Sequence, residues 1–160
     1  MQNNFPTETN DKSIDANKNL FVSFLSPIFL GLIIFDQLTK HFLAGRNFYI
    51  GPVHVRTVKN FGLSFSVDFG STINSFLIGS ALLLFFYLYF RHRNIWTRLQ
   101  QLAFAFIFAG AISNLIDRIV LGYVRDFISS GVGFTFNFAD MFVVIGIILF
   151  LIQPKFKLIA

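Results

Sequence analysis

The sequence contains no cysteine among its 160 residues. This absence excludes disulfides, thiolate metal sites and a cysteine nucleophile, and it leaves the redox compartment undetermined. Charged residues are also scarce, at 13%, whereas 54% of the residues are hydrophobic and 24 are phenylalanine. Soluble domains of this size do not have such a composition, and the long apolar runs predict one small protein that crosses a membrane several times.

Basic residues outnumber acidic ones, with 13 Lys and Arg against 8 Asp and Glu. They are scattered over the segments between apolar runs and form no basic stripe of the kind that binds nucleic acid. We therefore expect membrane lipids and no nucleic acid as partners, because anionic headgroups and membrane orientation explain the positive charge.

Four apolar runs predict four transmembrane helices, over residues 20–35, 73–90, 99–124 and 138–152. A signal peptide is an alternative for the first run, but no small-residue cleavage site follows it, so we interpret it as a retained helix. The predicted fold is an all-α membrane protein, a four-helix bundle that forms a single domain over residues 20–155.

Three further segments complete the predicted organisation. Residues 1–19 are polar and lack periodicity, which indicates a disordered tail, and residues 156–160 are expected to form a cytoplasmic tail. Residues 46–67, between the first two helices, contain Val, Tyr, Phe and Thr with partial alternation. This pattern predicts a small extracytoplasmic β-sheet on the membrane surface.

The charge distribution predicts the orientation of the chain. Slightly more Lys and Arg fall on the side that holds both termini, which places both termini in the cytoplasm. Outside the N-terminal tail, all acidic residues fall on the opposite side: Asp36, Asp68, Asp117, Asp126 and Asp140. We therefore expect the polar site at the extracytoplasmic end of the bundle.

Ionisable groups at membrane depth cost several kcal/mol each, so each needs a partner or a function. Asp36 and Lys40 are four residues apart, a spacing that places acid and base on one helical face. Two interpretations are open for this pair: an interfacial ion pair that ends the helix, or a structural role beside a site.

Two more polar groups lie at helix ends. Asn114, Asp117 and Arg118 share one face of the third helix. The adjacent arginine is expected to keep Asp117 ionised, which favours a scaffold role over proton transfer. Asn137 and Asp140 begin the fourth helix, where free backbone N–H groups favour a carboxylate.

Asp126 alone is typical of an exposed loop acid, and Asp140 alone is typical of a helix cap. Two aspartates that face each other across an apolar cleft cannot both ionise easily, so they share one proton. The aspartic proteases use such a pair, in which one carboxylate activates water and the other polarises the carbonyl. The spacing of Asp126 and Asp140 permits this chemistry and does not prove it.

Other protease chemistries fit the sequence less well. Zinc proteolysis needs clustered histidine ligands, whereas His41, His54 and His92 are isolated in predicted loops. A membrane serine protease at Ser129 has no histidine base in the apolar runs, and Lys40 is its only candidate lysine, so this chemistry stays an alternative.

Non-proteolytic functions also remain open from the residues alone. The carboxylates of Asp117, Asp126 and Asp140 suit Mg, Ca or Mn, so a metal site is an alternative. A channel or transporter would distribute its acids through the depth of the bilayer, but these acids collect at one end. A structural or assembly subunit explains the helices and leaves the polar cluster without a role.

Five short blocks carry most of these polar residues and occur in a fixed order. They are DQLTK (36–40), NFGLSFS (60–66), GAISNLIDR (110–118), GYVRDF (122–127) and FNFAD (136–140). Together they resemble the lipoprotein signal peptidases, the bacterial signal peptidase II family of four-helix membrane aspartyl proteases. Five ordered blocks are far more specific than any one of them.

The resemblance implies cleavage of diacylglyceryl-modified prolipoproteins just before the lipidated cysteine, at the outer face of the bacterial cytoplasmic (inner) membrane. It implies that Asp126 and Asp140 are the catalytic aspartates, without a metal or organic cofactor, and we expect a monomer. The remaining matched or bordering residues are expected to support the site or bind substrate: Asp36, Lys40, Asn60, Asn114, Asp117, Arg118 and Asn137.

Some positions depart from the family pattern. Leu63 and Ser64 replace small residues, which is expected to change the preferred substrate shape. Ser113 replaces a glycine, an exchange that close helix packing should tolerate. Arg125 stands where an apolar residue is expected, and its charge should lower the pKa of Asp126. The 14 residues from Asp126 to Asp140 are few for the family.

Overall fold

The computed structural model describes residues 26–62, 70–92, 96–129 and 133–152. Several predictions therefore concern residues outside the described part of the chain. They are the polar tail at 1–19, the beginning of the first apolar run, the departures at Leu63 and Ser64, the acid Asp68 and the tail at 156–160.

The described residues contain four α-helices, one for each predicted apolar run: α1, Ser26–Phe42; α2, Ser71–His92; α3, Arg98–Leu121; and α4, Phe138–Leu151. The segment Thr72–Arg91 of α2 and the whole of α3 are long and apolar enough to cross a membrane. Helix α4 is also apolar but has only 14 residues. Within the described part of the chain, length and composition therefore identify two candidate spans.

Capping residues explain where two of the helices begin and end. Thr97 and Gln100 form a capping box at the start of α3, and Gly122 ends this helix in the left-handed conformation, with φ of 81°. Asn137 and Asp140 form a second capping box at the start of α4, as their position in the sequence predicted. This second box sets the position of two predicted site residues.

Helix α3 packs against the other three helices, and most closely against α4. A Cβ atom added at Gly146 would lie 2.7 Å from the backbone oxygen of Ala103, and one added at Gly110 would overlap the backbone oxygen of Ala139. Glycine is therefore needed at both positions, because a side chain there would overlap the neighbouring helix. Small residues at such positions let helix backbones pack closely, which stabilises helix association in lipid.

Aromatic side chains pack the N-terminal half of α3 against α2. The ring of Phe104 stacks on Tyr89, with centroids 4.5 Å apart, and on Phe108, with centroids 4.3 Å apart. Trp96 completes the group with an edge contact to Phe104 at 5.2 Å. We call these four residues the aromatic cluster.

The sheet has four antiparallel strands in the order β1-β2-β3-β4. Strands β1 (Asn47–Ile50) and β2 (Val53–Asn60) lie in the predicted sheet segment, whereas β3 (Val124–Ser129) and β4 (Thr135–Phe136) lie between α3 and α4. The prediction that the sheet belongs only to the first connection was therefore wrong, because β3 returns to pair with β2.

The pairing of β2 and β3 contains one irregularity. Val55 lies opposite Ile128 and Val58 lies opposite Asp126, so three steps along β2 match two steps along β3. An extra residue of this kind forms a β-bulge, which interrupts the ladder of hydrogen bonds locally. Asp126, which taken alone is typical of an exposed loop acid, lies in a strand directly beside this bulge and is 2% exposed.

Candidate active site

Polar residues from four elements meet in the interior between the C-terminal ends of α1 and α3, the start of α4 and strand β3. Seven of these polar side chains are buried: Asp36, Lys40, Ser113, Asp117, Arg118, Asp126 and Asn137. Buried polar groups of this number are stable only when they are hydrogen-bonded to one another, so their contacts define the site.

Asp126 is held by two asparagines from different elements. Its Oδ1 accepts a hydrogen bond of 2.7 Å from the amide of Asn137, and its Oδ2 accepts one of 2.9 Å from the amide of Asn60. Asn60 ends β2 and Asn137 precedes α4, so both oxygens of this carboxylate have fixed directions.

Asp140 is half-buried and is held by the same asparagine and one more. Its Oδ2 accepts the backbone N–H of Asn137 at 3.1 Å, and its Oδ1 accepts the amide of Asn114 at 2.8 Å. Asn137 therefore contacts Asp126 through its side chain and Asp140 through its backbone. The structure brings the two predicted catalytic residues into one hydrogen-bonded group.

Burial, and after it the negative charge of Asp140, raise the pKa of Asp126 from 3.8 to about 6. Hydrogen bonds from Asn60 and Asn137 and the charge of Lys40 act in the opposite direction and only partly offset this rise. The expectation that Arg125 lowers the pKa of Asp126 was wrong. Arg125 points to the other side of the strand, where its charge is matched by a different carboxylate.

The Asp36–Lys40 pair is buried near the two aspartates, which favours the structural role beside a site. Lys40 Nζ lies 2.7 Å from Asp36, and it donates to the amide oxygen of Asn114 at 2.8 Å. Asp36 also accepts the hydroxyl of Ser113 at 2.7 Å and the backbone N–H of Ala139 at 2.8 Å. The pair therefore links α1 to both α3 and α4 and holds the amide that contacts Asp140.

Asp117 forms no ion pair with the adjacent Arg118. The expectation that Arg118 is the charged partner of this carboxylate was therefore wrong. Its carboxylate lies 2.7 Å from Arg125 and 3.5 Å from Lys40. Arg118 instead donates to the backbone oxygen of Gly62 at 2.8 Å and to that of Asn114 at 3.4 Å. Arg118 therefore connects α3 to the chain just after β2.

Sequence reasoning missed the hydrogen-bonding roles of Gln37 and Ser113. Gln37 donates to the Ser113 hydroxyl at 2.9 Å and to Asp117 at 3.1 Å, and it accepts from Arg125 at 2.9 Å. Ser113 was treated only as a small packing residue, although its hydroxyl binds Asp36. The available signal was their polarity within apolar helices, because polar groups there require partners.

The structure also bears on the alternative chemistries. Within the described ranges, no group of three or more His, Cys, Asp or Glu side chains is arranged to hold a metal ion. Ser129 lies opposite His54 across β2 and β3, but the His54 ring is hydrogen-bonded to Asn47 at 2.7 Å and stacked on Tyr49. That ring is therefore already engaged away from Ser129.

Comparison with known proteins identifies this arrangement. The sequence model of the family described as Signal peptidase (SPase) II matches residues 28–156. Lipoprotein signal peptidases of Staphylococcus aureus, from strains bovine RF122 / ET3-1 and JH9, are each 31% identical over 147 residues, which cover 85% of this chain and 90% of each relative.

Two solved structures of bacterial membrane enzymes have a similar fold. The first superposes with a TM-score of 0.73 at 28% identity and covers 82% of this chain and 87% of the other. The second gives a TM-score of 0.72 at 27% identity, with coverages of 84% and 96%. The fold, the five sequence blocks and the family match agree, and the chain belongs to the signal peptidase II family of aspartic peptidases that process lipoproteins.

Proposed function

We propose that this peptidase cleaves diacylglyceryl-modified prolipoproteins just before the lipidated cysteine, with Asp126 and Asp140 as the catalytic pair. The family match supports a lipoprotein precursor as the substrate. The contact of Asn137 with both carboxylates supports the pair itself, because one rigid residue then determines their relative position.

In this mechanism the two carboxylates hold one proton and one water between them. The ionised carboxylate removes a proton from the water, whose oxygen bonds to the scissile carbonyl carbon while the protonated carboxylate donates to the carbonyl oxygen. The carbon–nitrogen bond then breaks as the leaving amine takes the proton that the first carboxylate removed from the water. The carbonyl oxygen returns its proton to the second carboxylate, which restores the starting pair. The raised pKa of Asp126, about 6, supports a shared proton near neutral pH.

The neighbouring amides would keep both carboxylates in this geometry during the reaction. Asn60, Asn114 and Asn137 donate to the aspartate oxygens, and Lys40 fixes the orientation of Asn114 by binding its amide oxygen. Preorganised contacts of this kind favour catalysis because no reorganisation is needed when charge develops. Arg118 and Asn60 lie where the substrate peptide would pass under the sheet in this proposal.

We further propose that all four helices cross the cytoplasmic membrane, with both termini inside and the site toward the outer face. The polar groups gather at one end of the bundle, which supports a site open to one side. Helix α4, with 14 residues, is about 21 Å long, shorter than a hydrocarbon core of about 30 Å. Its polar start would therefore lie slightly below the membrane surface, where acyl chains of the substrate can enter between helices. In this proposal the enzyme acts as a monomer.

The test is cleavage of a purified lipidated prolipoprotein by the full chain and by Asp126→Asn and Asp140→Asn. Both variants should lose at least about 1,000-fold in kcat, because neither retains a carboxylate pair, while they insert and accumulate normally. Asp15→Asn, the same chemical change outside the five blocks, should keep full activity. An active Asp140→Asn enzyme would refute the proposal.

The pH dependence of kcat/KM provides an independent test. A coupled pair predicts a bell-shaped profile, because the reaction requires one carboxylate ionised and the other protonated. The charged groups near Asp126 include Asp140, Lys40 and Arg118, so the profile reports this group as a unit. A flat profile between about pH 4 and 9, with chemistry rate-limiting, would contradict the shared proton.

A further inference from the structure

Arg125 precedes Asp126 in β3 and makes a dense set of contacts on the opposite side of the strand. Its Nη2 and Nε donate to the two oxygens of Asp117 at 2.7 Å and 3.2 Å, and its backbone N–H donates to Asp117 at 3.0 Å. Nη2 also donates to Gln37 at 2.9 Å. We call Gln37, Asp117 and Arg125 the Arg125 anchor.

The Arg125 anchor joins three elements in a nearly dry environment. The side chain of Asp117 is 0% exposed and that of Arg125 is 17% exposed. Gln37 completes the group from α1 by donating to Asp117 at 3.1 Å. Fork-shaped contacts between arginine and a carboxylate fix direction as well as distance, which a lysine or an apolar residue cannot do.

The anchor lies next to an interruption in the pairing of β2 with β3. The bulge between Val55 and Val58 interrupts the ladder beside Asp126. On the other side of Asp126, the backbone N–H of Arg125 is bound by Asp117 of α3. The position of β3 at this point is therefore fixed by a helix as well as by the neighbouring strand.

We propose that Arg125 is a positioning residue that holds β3 against α3 and α1, so that the carboxylate of Asp126 faces Asn137 and Asp140. Successive side chains of a strand point to opposite faces, so fixing Arg125 on one face fixes Asp126 on the other. The inference rests on the proposed catalytic role of Asp126. It gives a function to a residue at which an apolar side chain was expected.

The experiment measures kcat and KM of the full chain on a lipidated prolipoprotein for Arg125→Ala, Arg125→Lys, Asp117→Asn and the double variant Arg125→Ala/Asp117→Asn. Arg125→Ala should lower kcat about 10- to 100-fold with KM changed less than about threefold, because a misplacement of about 1 Å removes transition-state stabilisation only. Arg125→Lys should recover part of this loss, since it restores the charge and one donor.

Non-additivity separates a shared anchor from independent effects. The double variant should be no slower than Asp117→Asn alone, because both substitutions break the same contact. Arg56→Ala serves as the matched control, since Arg56 is an exposed arginine on β2, and it should retain wild-type kcat. Thermal unfolding of each variant supplies the folded fraction, so that kcat is expressed per folded molecule.

Two results would overturn the positioning role. One is an Arg125→Ala enzyme whose melting temperature falls while its kcat per folded molecule stays within about twofold of wild type, which would assign Arg125 to stability alone. The other is a double variant whose losses multiply. Asp126→Asn separates the two proposals: if it is inactive while Arg125→Ala is fully active, only the positioning role fails, whereas an active Asp126→Asn enzyme refutes the catalytic proposal and the positioning role with it.

Discussion

The two halves of α3 are held by different kinds of contact. In the N-terminal half, Phe104 and Phe108 pack in the aromatic cluster, whose contacts depend on shape and tolerate small changes of angle. In the C-terminal half, Ser113, Asn114 and Asp117 each make hydrogen bonds with defined partners. The N-terminal half therefore packs the bundle, and the C-terminal half fixes the orientation of the polar side chains in the site.

This division has a physical reason in a membrane. Lipid tails solvate apolar side chains about as well as other side chains do, so aromatic packing contributes through close contact more than through solvent exclusion. A buried hydrogen bond or ion pair has no such substitute in lipid, and leaving one partner unmatched is costly. The polar half should therefore be much less tolerant of substitution than the aromatic half.

The largest effect on stability is expected from Lys40→Met. This change leaves Asp36 and Asp117 without the shared ammonium group and frees the amide oxygen of Asn114. Removing one partner of a buried pair typically costs about 3–5 kcal/mol of stability, and we expect kcat to fall at least about 100-fold. Thermal unfolding and a prolipoprotein cleavage assay measure the two effects.

Lys59→Met is the control for that experiment, because Lys59 is an exposed lysine. Its Nζ lies 4.8 Å from the centroid of the Tyr123 ring. This substitution should change stability by less than about 1 kcal/mol. Equal losses for the two lysine variants would contradict the special role of the polar half.

An intermediate effect is expected from Phe104→Ala in the aromatic cluster. The substitution removes two stacked contacts and an edge contact. We expect a loss of about 1–3 kcal/mol in unfolding free energy, at the lower end for such changes because lipid or a neighbouring ring can fill part of the space. The kcat per folded molecule should stay within about twofold of the wild-type value. A tenfold drop would show that packing in the N-terminal half of α3 affects the geometry of the site.

The smallest effect is a gain of stability in Asp126→Asn at high pH. Because the folded-state pKa of Asp126 is raised to about 6, its protonated form stabilises the fold below about pH 4, and this contribution is lost as pH rises through 6. Above that range the ionised group costs on the order of 3 kcal/mol, and asparagine avoids this cost but loses one acceptor, worth about 1 kcal/mol.

Asp126→Asn should therefore be more stable than the wild type by about 1–2 kcal/mol near pH 8 and no more stable near pH 4. Melting temperatures of both proteins across this range measure the difference. A wild type that is the more stable protein at pH 8 would indicate that burial of the ionised Asp126 side chain does not destabilise the fold.

Local sequence patterns were sufficient for several parts of the site. The spacing of Asp36 and Lys40 predicted their ion pair, and the position of Asn137 and Asp140 predicted a helix start, because both depend on contacts within one helical turn. Strand β3 was missed because its six residues pair with β2, which lies far away in the chain. A short strand of this kind has no clear local signal between two helices.

Residue order alone was enough to recognise the apolar helices, the polar residues at their ends and the blocks that identify the family. The tertiary structure decided which charges pair: Asp117 binds Arg125 rather than the adjacent Arg118, because Gly122 ends α3 and lets β3 fold back over it. It also decided the raised pKa of Asp126, since burial and the charge of Asp140 act only when distant segments meet. Long-range pairing in a dry interior is a property of the folded chain, and no local pattern encodes it.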